Sequence, residues 1–198
     1  QVDYQAHNRR MIEKLNSPKV KVTSINEPDS AKHFGSDDAG GLQKSVILAK
    51  GMRVMLTANL DLPNGLTNGT IGYVRGIFYL NDVREVHDNE IPTVLVEFPD
   101  YNGPSCVNEI PRLYPVCAIV RRWTSGKENY SRKMVPLVAA YGMTIHKSQG
   151  QTLGKVVVNL GGDECSTGLT YTALSRVRRF ADLAFSPMPT PGRLNAYS

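Results

Sequence analysis

Thr144, His146, Lys147 and Ser148 place two hydroxyls, an imidazole and an ammonium within one short run, and Gly150 and Gln151 follow at once. Donors at this density suit the grip of successive phosphates along a strand, without any reading of its bases. Gly150 lets backbone come close to a ligand. Further on, Tyr171-Thr172-Ala173-Leu174-Ser175-Arg176-Val177-Arg178-Arg179 gathers three arginines. Leu174 and Val177 can face a sheet, which leaves Ser175, Arg176 and Arg179 partly outward. A guanidinium held in this way could neutralise charge developing on a transferring γ-phosphoryl group. On residue type alone, Arg176 reads equally as one charge of an ordinary basic helix. Two donor-rich segments on one small chain imply two phosphate-bearing ligands, a polynucleotide and a nucleotide.

These side chains need a frame, and the pattern around them is α/β. An apolar run at 137–140 enters the first segment. Residues 155–160 (KVVVNL) read as a buried strand, 168–179 as an amphipathic helix, and Leu183-Ala184-Phe185 as a last strand before Pro187, Pro189 and Pro191. Strand, helix and strand in that order argue for a parallel sheet. Residues 4–16 read as a polar helix and 19–25 as a short alternating strand. The polar stretch from Asn26 to Gly41 has no hydrophobic period and reads as a surface loop. From 45 to about 135 the chain turns to short β runs, at 46–48, 53–56, 70–74, 93–98 and 116–120. Asn64-Gly65, Asn68-Gly69 and Asn102-Gly103 supply turn signals between them. Strands so spaced, without helical periods, read as a small barrel or sandwich. Trp123 is expected to be a core or hinge side chain in preference to a base-stacking platform, and His7 and His33 plain surface residues.

The 198 residues suffice for one large domain or two small ones, and 41% hydrophobic content can build a core. The net charge of +5 is unevenly spread. Residues 121–198 carry 11 Lys and Arg against 4 Asp and Glu, whereas 81–110 hold seven acids and one base. The positive field therefore belongs with the two donor-rich segments and suits a polyanion. Three cysteines, odd in number and without CxxC spacing, argue against a disulfide scaffold or a zinc site and fit a reducing compartment. No apolar run is long enough to span a membrane, and no apolar signal segment opens the chain. Gln1 in place of Met is expected to set the chain inside a longer protein.

Thr144-Ile145-His146-Lys147-Ser148-Gln149-Gly150-Gln151-Thr152 and the 171–179 run resemble helicase motifs V and VI of the superfamily-one, 5′-to-3′ group. They are most similar to the petite-integration-frequency (Pif-type) DNA helicases, including the versions carried by Helitron transposons, and more distantly to RecD. The stretches His7-Asn8 to Leu15-Asn16, 50–77 (KGMRVMLTANLDLPNGLTNGTIGYVRGI) and 135–153 (VPLVAAYGMTIHKSQGQTL) follow the family in the same order.

The resemblance implies a RecA-like second helicase domain (2A) interrupted by a small SH3-like β barrel (2B). The expected division is 1–44 for the first part of 2A, 45–135 for the barrel and 136–198 for the second part with motifs V and VI. It implies ATP and Mg²⁺ as cofactors, and single-stranded DNA and the first RecA-like domain of the same protein as partners, with no membrane. Thr144, His146, Lys147 and Ser148 would meet DNA, Gly150 and Gln151 the nucleotide, and Arg176 would be the arginine finger and catalytic residue. In relatives outside the Pif type a glutamate often stands two residues after the motif V glycine; Thr152 occupies that place here. The chain has no G-x-x-x-x-G-K-[ST] run, and no Asp-Glu pair stands out after an apolar strand as a Mg²⁺ site. The expectation is thus half of an ATP-dependent 5′-to-3′ DNA helicase, inactive by itself, placed inside the cell and, in a eukaryote, in the nucleus or mitochondrion. The competing expectation is a non-catalytic single-stranded nucleic-acid-binding remnant of a transposon-derived helicase.

Overall fold

The alternating runs pair as antiparallel ladders. The structure, a computed structural model, describes residues 4–79, 90–160 and 168–189. Contacts divide it into two compact units, Asn8–Tyr141 and a second formed by Gln1–His7 with Gly142–Ser198. The helix α1 (Tyr4–Glu13) carries the first boundary.

In the larger unit, β1 (Lys19–Thr23), β2 (Ile25–Glu27), β3 (Ser45–Ala49), β4 (Arg53–Leu56) and β5 (Ile71–Phe78) come first. β6 (Thr93–Glu97), β7 (Leu113–Val116), β8 (Ile119–Ser125), β9 (Glu128–Met134) and β10 (Leu137–Ala139) follow. They form a five-stranded antiparallel sheet in the order β10-β4-β5-β6-β7, a pair β1-β3 and a three-stranded sheet β2-β9-β8. Strand β6 shows why the pairing holds: Val94 and Val96 are buried while Thr93, Leu95 and Glu97 face outward by turns. Val54, Leu56, Val74, Val94, Val96 and Phe98 meet in one core, each burial worth about 1.5–3 kcal/mol.

This unit is wider than the 45–135 segment expected as an insert. Val20 and Val22 pair with Leu48 and Val46 of β3, so residues 8–44 join the β-rich unit, as does β10, which pairs with β4. Two expectations about its elements are corrected here. The run at 116–120 is split between β7 and β8 at Cys117-Ala118, and β8 continues into a hairpin with β9 in which Trp123 pairs with Tyr130. The stretch after Asn26 is not a free surface loop. Ala31, Ala39 and Leu42 are buried, and the segment folds around the fully buried Arg132 of β9. Its Nε donates to Asn26 Oδ1 (2.8 Å), Nη1 to the carbonyls of Gly35 (3.2 Å) and Leu42 (3.0 Å), and Nη2 to those of Ala31 (3.0 Å) and Phe34 (3.1 Å). Trp123 is a packed side chain, half-buried against Phe34 and stacked on Tyr130 at 5.9 Å.

The smaller unit holds β11 (Val156–Val158), α2 (Leu169–Leu174) and β12 (Leu183–Phe185). β11 and β12 pair in parallel, as the strand–helix–strand order requires, and Val158, Leu160 and Ala173 form the core with Ile145, Val156, Leu183 and Phe185. The strand is shorter than 155–160, and Val157 is 66% exposed, so it is not buried on both faces. The helix also stops early, at Leu174 and not Arg179. The Arg176 carbonyl accepts from Leu153 N–H at 2.7 Å and Val177 bridges Leu153 in parallel, which draws the chain out of the helix. Pro191 lies outside the described residues. Among them, no helix is long and apolar enough to cross a membrane.

Candidate nucleotide and nucleic-acid site

The first donor-rich segment folds as a turn braced by its own main chain. A 3-10 turn spans His146–Ser148. Thr144 Oγ1 accepts from Lys147 N–H (3.4 Å), Gln149 N–H reaches the His146 carbonyl (3.2 Å), and Gln151 N–H reaches that of Ser148 (3.0 Å). Gln151 Nε2 donates back to the Lys147 carbonyl at 2.8 Å. Gly150 sits at φ +77°, a left-handed conformation that a side chain would resist, with open space where a Cβ would point. His146 and Lys147 are exposed at the crest of this turn, and Thr144 is half-exposed.

Ser148 departs from its expected part. It is 6% exposed, and its hydroxyl donates to the Ile145 carbonyl at 2.7 Å. The hydroxyl braces the turn from inside and is not presented to a ligand.

Arg176 connects the two segments. It lies just past the end of α2, half-buried. Nε donates to the Thr172 carbonyl (2.7 Å) and Nη2 to Ser175 Oγ (2.8 Å). Nη1 reaches across to the carbonyls of Ser148 (3.3 Å) and Gln151 (3.1 Å). All four partners among the described residues are neutral oxygens. They hold the guanidinium in a fixed orientation beside the turn that carries His146 and Lys147. Arg179 is committed elsewhere, to a two-bond pair with Asp182 at 2.8 and 3.2 Å, and Arg178 is exposed. Sequence reasoning missed that Arg176 is held by main-chain carbonyls of the other motif. Carbonyls leave no trace in residue identity, and only the Ser175 hydroxyl beside Arg176 was a readable signal.

The arrangement offers a fixed cation next to a donor crest, which suits two phosphate groups from different ligands. It offers no metal cage: among the described residues, no group of three or more His, Cys, Asp or Glu could hold a metal ion.

No protein-family model matches the chain. The ATP-dependent DNA helicase PIF1 of Homo sapiens is 32% identical over 198 residues, which covers 95% of this chain. The Pif1 helicase of Candida albicans, known from a crystal structure, matches over 100% of the chain with a TM-score of 0.68 and 25% identity. Its homologues are Pif1-type DNA helicases. A Bacteroides Pif1 crystallised with ssDNA shares the fold, with a TM-score of 0.60 and 21% identity over 94% of the chain. The mixed α/β architecture is therefore that of Pif1 structures. The chain spans 27% of the human Pif1 relative's length, and 47% and 39% of the Candida and Bacteroides chains.

Proposed function

We propose that this chain is the second RecA-like domain, with its β-rich insert, of an ATP-dependent 5′-to-3′ DNA helicase that moves on single-stranded DNA and opens duplex. The observation that carries the reading is the Arg176 guanidinium, held between α2 and the His146–Lys147 turn by the Ser148 and Gln151 carbonyls. The named activity of the human relative and the ssDNA in the Bacteroides crystal support it.

In this reading Thr144, His146 and Lys147 grip the phosphates of the strand, and Ser148 keeps their turn in shape. Gly150 and Gln151 line the nucleotide, and Arg176 faces its γ-phosphate as the arginine finger. The antiparallel unit supplies the SH3-like insert. Mg²⁺, when bound, neutralises charge on the transferring phosphates. No acidic cluster among the described residues fits that ion, and no G-x-x-x-x-G-K-[ST] run exists in the chain. Both duties fall to the first RecA-like domain of the same protein. We place the protein inside the cell, in the nucleus or mitochondrion of a eukaryote, which imaging of a tagged full-length protein checks.

The test is Arg176→Lys in the full-length protein. Lysine keeps the charge and loses the planar fork. DNA-stimulated phosphate release should fall steeply, within the roughly 10³–10⁵ range that an arginine finger contributes. Near-normal release would remove Arg176 from the chemistry.

A further inference from the structure

We propose that Arg176 is also a positioning residue, a fork that holds the DNA-facing turn and releases it when a γ-phosphate claims the guanidinium. The inference rests on the reading above, and it adds the way in which one site controls the other.

A single nitrogen, Nη1, donates to the carbonyls of both Ser148 and Gln151, which bracket Gln149 and Gly150. From Gln151 one more bond, Nε2 to the Lys147 carbonyl, leads directly to the crest residue. The path from guanidinium to Lys147 is therefore two hydrogen bonds long. Without Arg176 the turn keeps its own local bonds, all within residues 144–151. Its 3-10 segment is three residues, a geometry that holds poorly alone, and Gly150 between the two bracketed carbonyls is the most freely rotating residue available.

The fork is also built to let go. Its described partners are neutral oxygens, whereas an anionic phosphate oxygen adds charge–charge attraction and takes a guanidinium in two parallel bonds. A γ-phosphate at Arg176 therefore outcompetes the Ser148 and Gln151 carbonyls. The guanidinium is planar and rigid, so it swings to the phosphate as one body and its Thr172 and Ser175 bonds shift with it. The nucleotide's arrival thus unties the turn under His146 and Lys147 and changes the grip on the strand. By linkage, the strand's presence changes nucleotide affinity by the same factor.

The test uses the full-length protein, a fluorescent oligo-dT and a non-hydrolysable ATP analogue, with wild type, Arg176→Lys and Arg176→Ala. In wild type, oligo-dT affinity should shift with the analogue by an amount within the usual allosteric range, roughly 5- to 150-fold. Both variants should bind oligo-dT more weakly than wild type without nucleotide, and neither should shift with the analogue. Lysine should not rescue, because three donors on one nitrogen cannot serve the Thr172 and Ser175 oxygens and both turn carbonyls together. Hydrogen exchange of the folded Arg176→Lys protein should quicken at the Gln149 and Gln151 amides. Nucleotide-free affinity equal to wild type in both variants, or unchanged exchange at those amides, overturns the fork even if turnover is lost. A wild-type protein that neither binds oligo-dT nor hydrolyses ATP sinks the helicase reading itself.

Discussion

Lys147 carries a single charge at the crest of a turn, and a single charge has a measurable signature. Each phosphate neutralised on a single strand adds about 0.7 to the slope of log affinity against log salt. Lys147→Ala in the full-length protein should therefore weaken oligo-dT binding and lower that slope by about 0.7. An unchanged slope, measured by titration at several salt concentrations, would place the strand away from this turn. At this scale the sequence was informative wherever function lies in a side chain. Thr144, His146 and Lys147 are at the surface as their types suggest, and Arg176 stands beside them. It misled at Ser148, whose hydroxyl serves Ile145. A serine reads the same whether it faces a ligand or caps a carbonyl, so residue type could not separate the two.

Elements were legible where burial is periodic and illegible where polar groups organise the chain. The Val94 and Val96 alternation and the parallel β11-β12 pair follow the pattern rules directly. The β8-β9 hairpin does not, because its sequence (residues 119–134) is dense in charged and polar residues and shows no hydrophobic period. Its order comes from one buried cation. Arg132 satisfies four carbonyls and an amide of the 26–42 segment, and the Trp123 ring lies 5.8 Å from its guanidinium. Burial lowers its pKa and Asp38 opposes that shift; a guanidinium remains charged at neutral pH throughout. Arg132→Met would take the donor from Asn26 Oδ1 and the carbonyls of Phe34, Gly35 and Leu42, while Ala31 keeps the Phe34 N–H, and a buried acceptor left unsatisfied costs about 1–3 kcal/mol. Urea unfolding should register that loss, and a smaller one for Arg132→Lys, which keeps the charge but offers fewer donors. If Arg132→Met unfolds within about 1 kcal/mol of wild type, a typical surface change at most, the segment is held by its apolar residues Ala31, Ala39 and Leu42 instead.

Over the whole molecule, the proposed function divides the chemistry between a first RecA-like domain and this chain. Its contribution is a cation and a donor crest: Arg176 between two carbonyls, with His146 and Lys147 beside it. Phosphoryl transfer depends almost wholly on positioning and charge neutralisation, with a backbone cradle, a lysine and a metal ion all acting on the β- and γ-phosphates. The chain has no run that could form that cradle, and its described residues have no acidic group that could hold the metal. In the proposed helicase, Arg176 as the finger has no cradle of its own domain to act on. Purified residues 1–198 should accordingly release no phosphate from ATP, with or without DNA. They should still bind oligo-dT, weakly and with marked salt sensitivity, because the cations of residues 121–198 outnumber the acids there by 11 to 4. Mixing in the separately expressed first RecA-like domain should restore DNA-stimulated release, and Arg176→Lys in the 198-residue partner should abolish the restoration. Release by the chain alone, after an Arg176→Lys control has excluded a contaminating ATPase, would mean that these residues build a complete nucleotide site of another kind. The division of labour would then be wrong at its root, since the finger would be acting on a phosphate that its own domain had cradled.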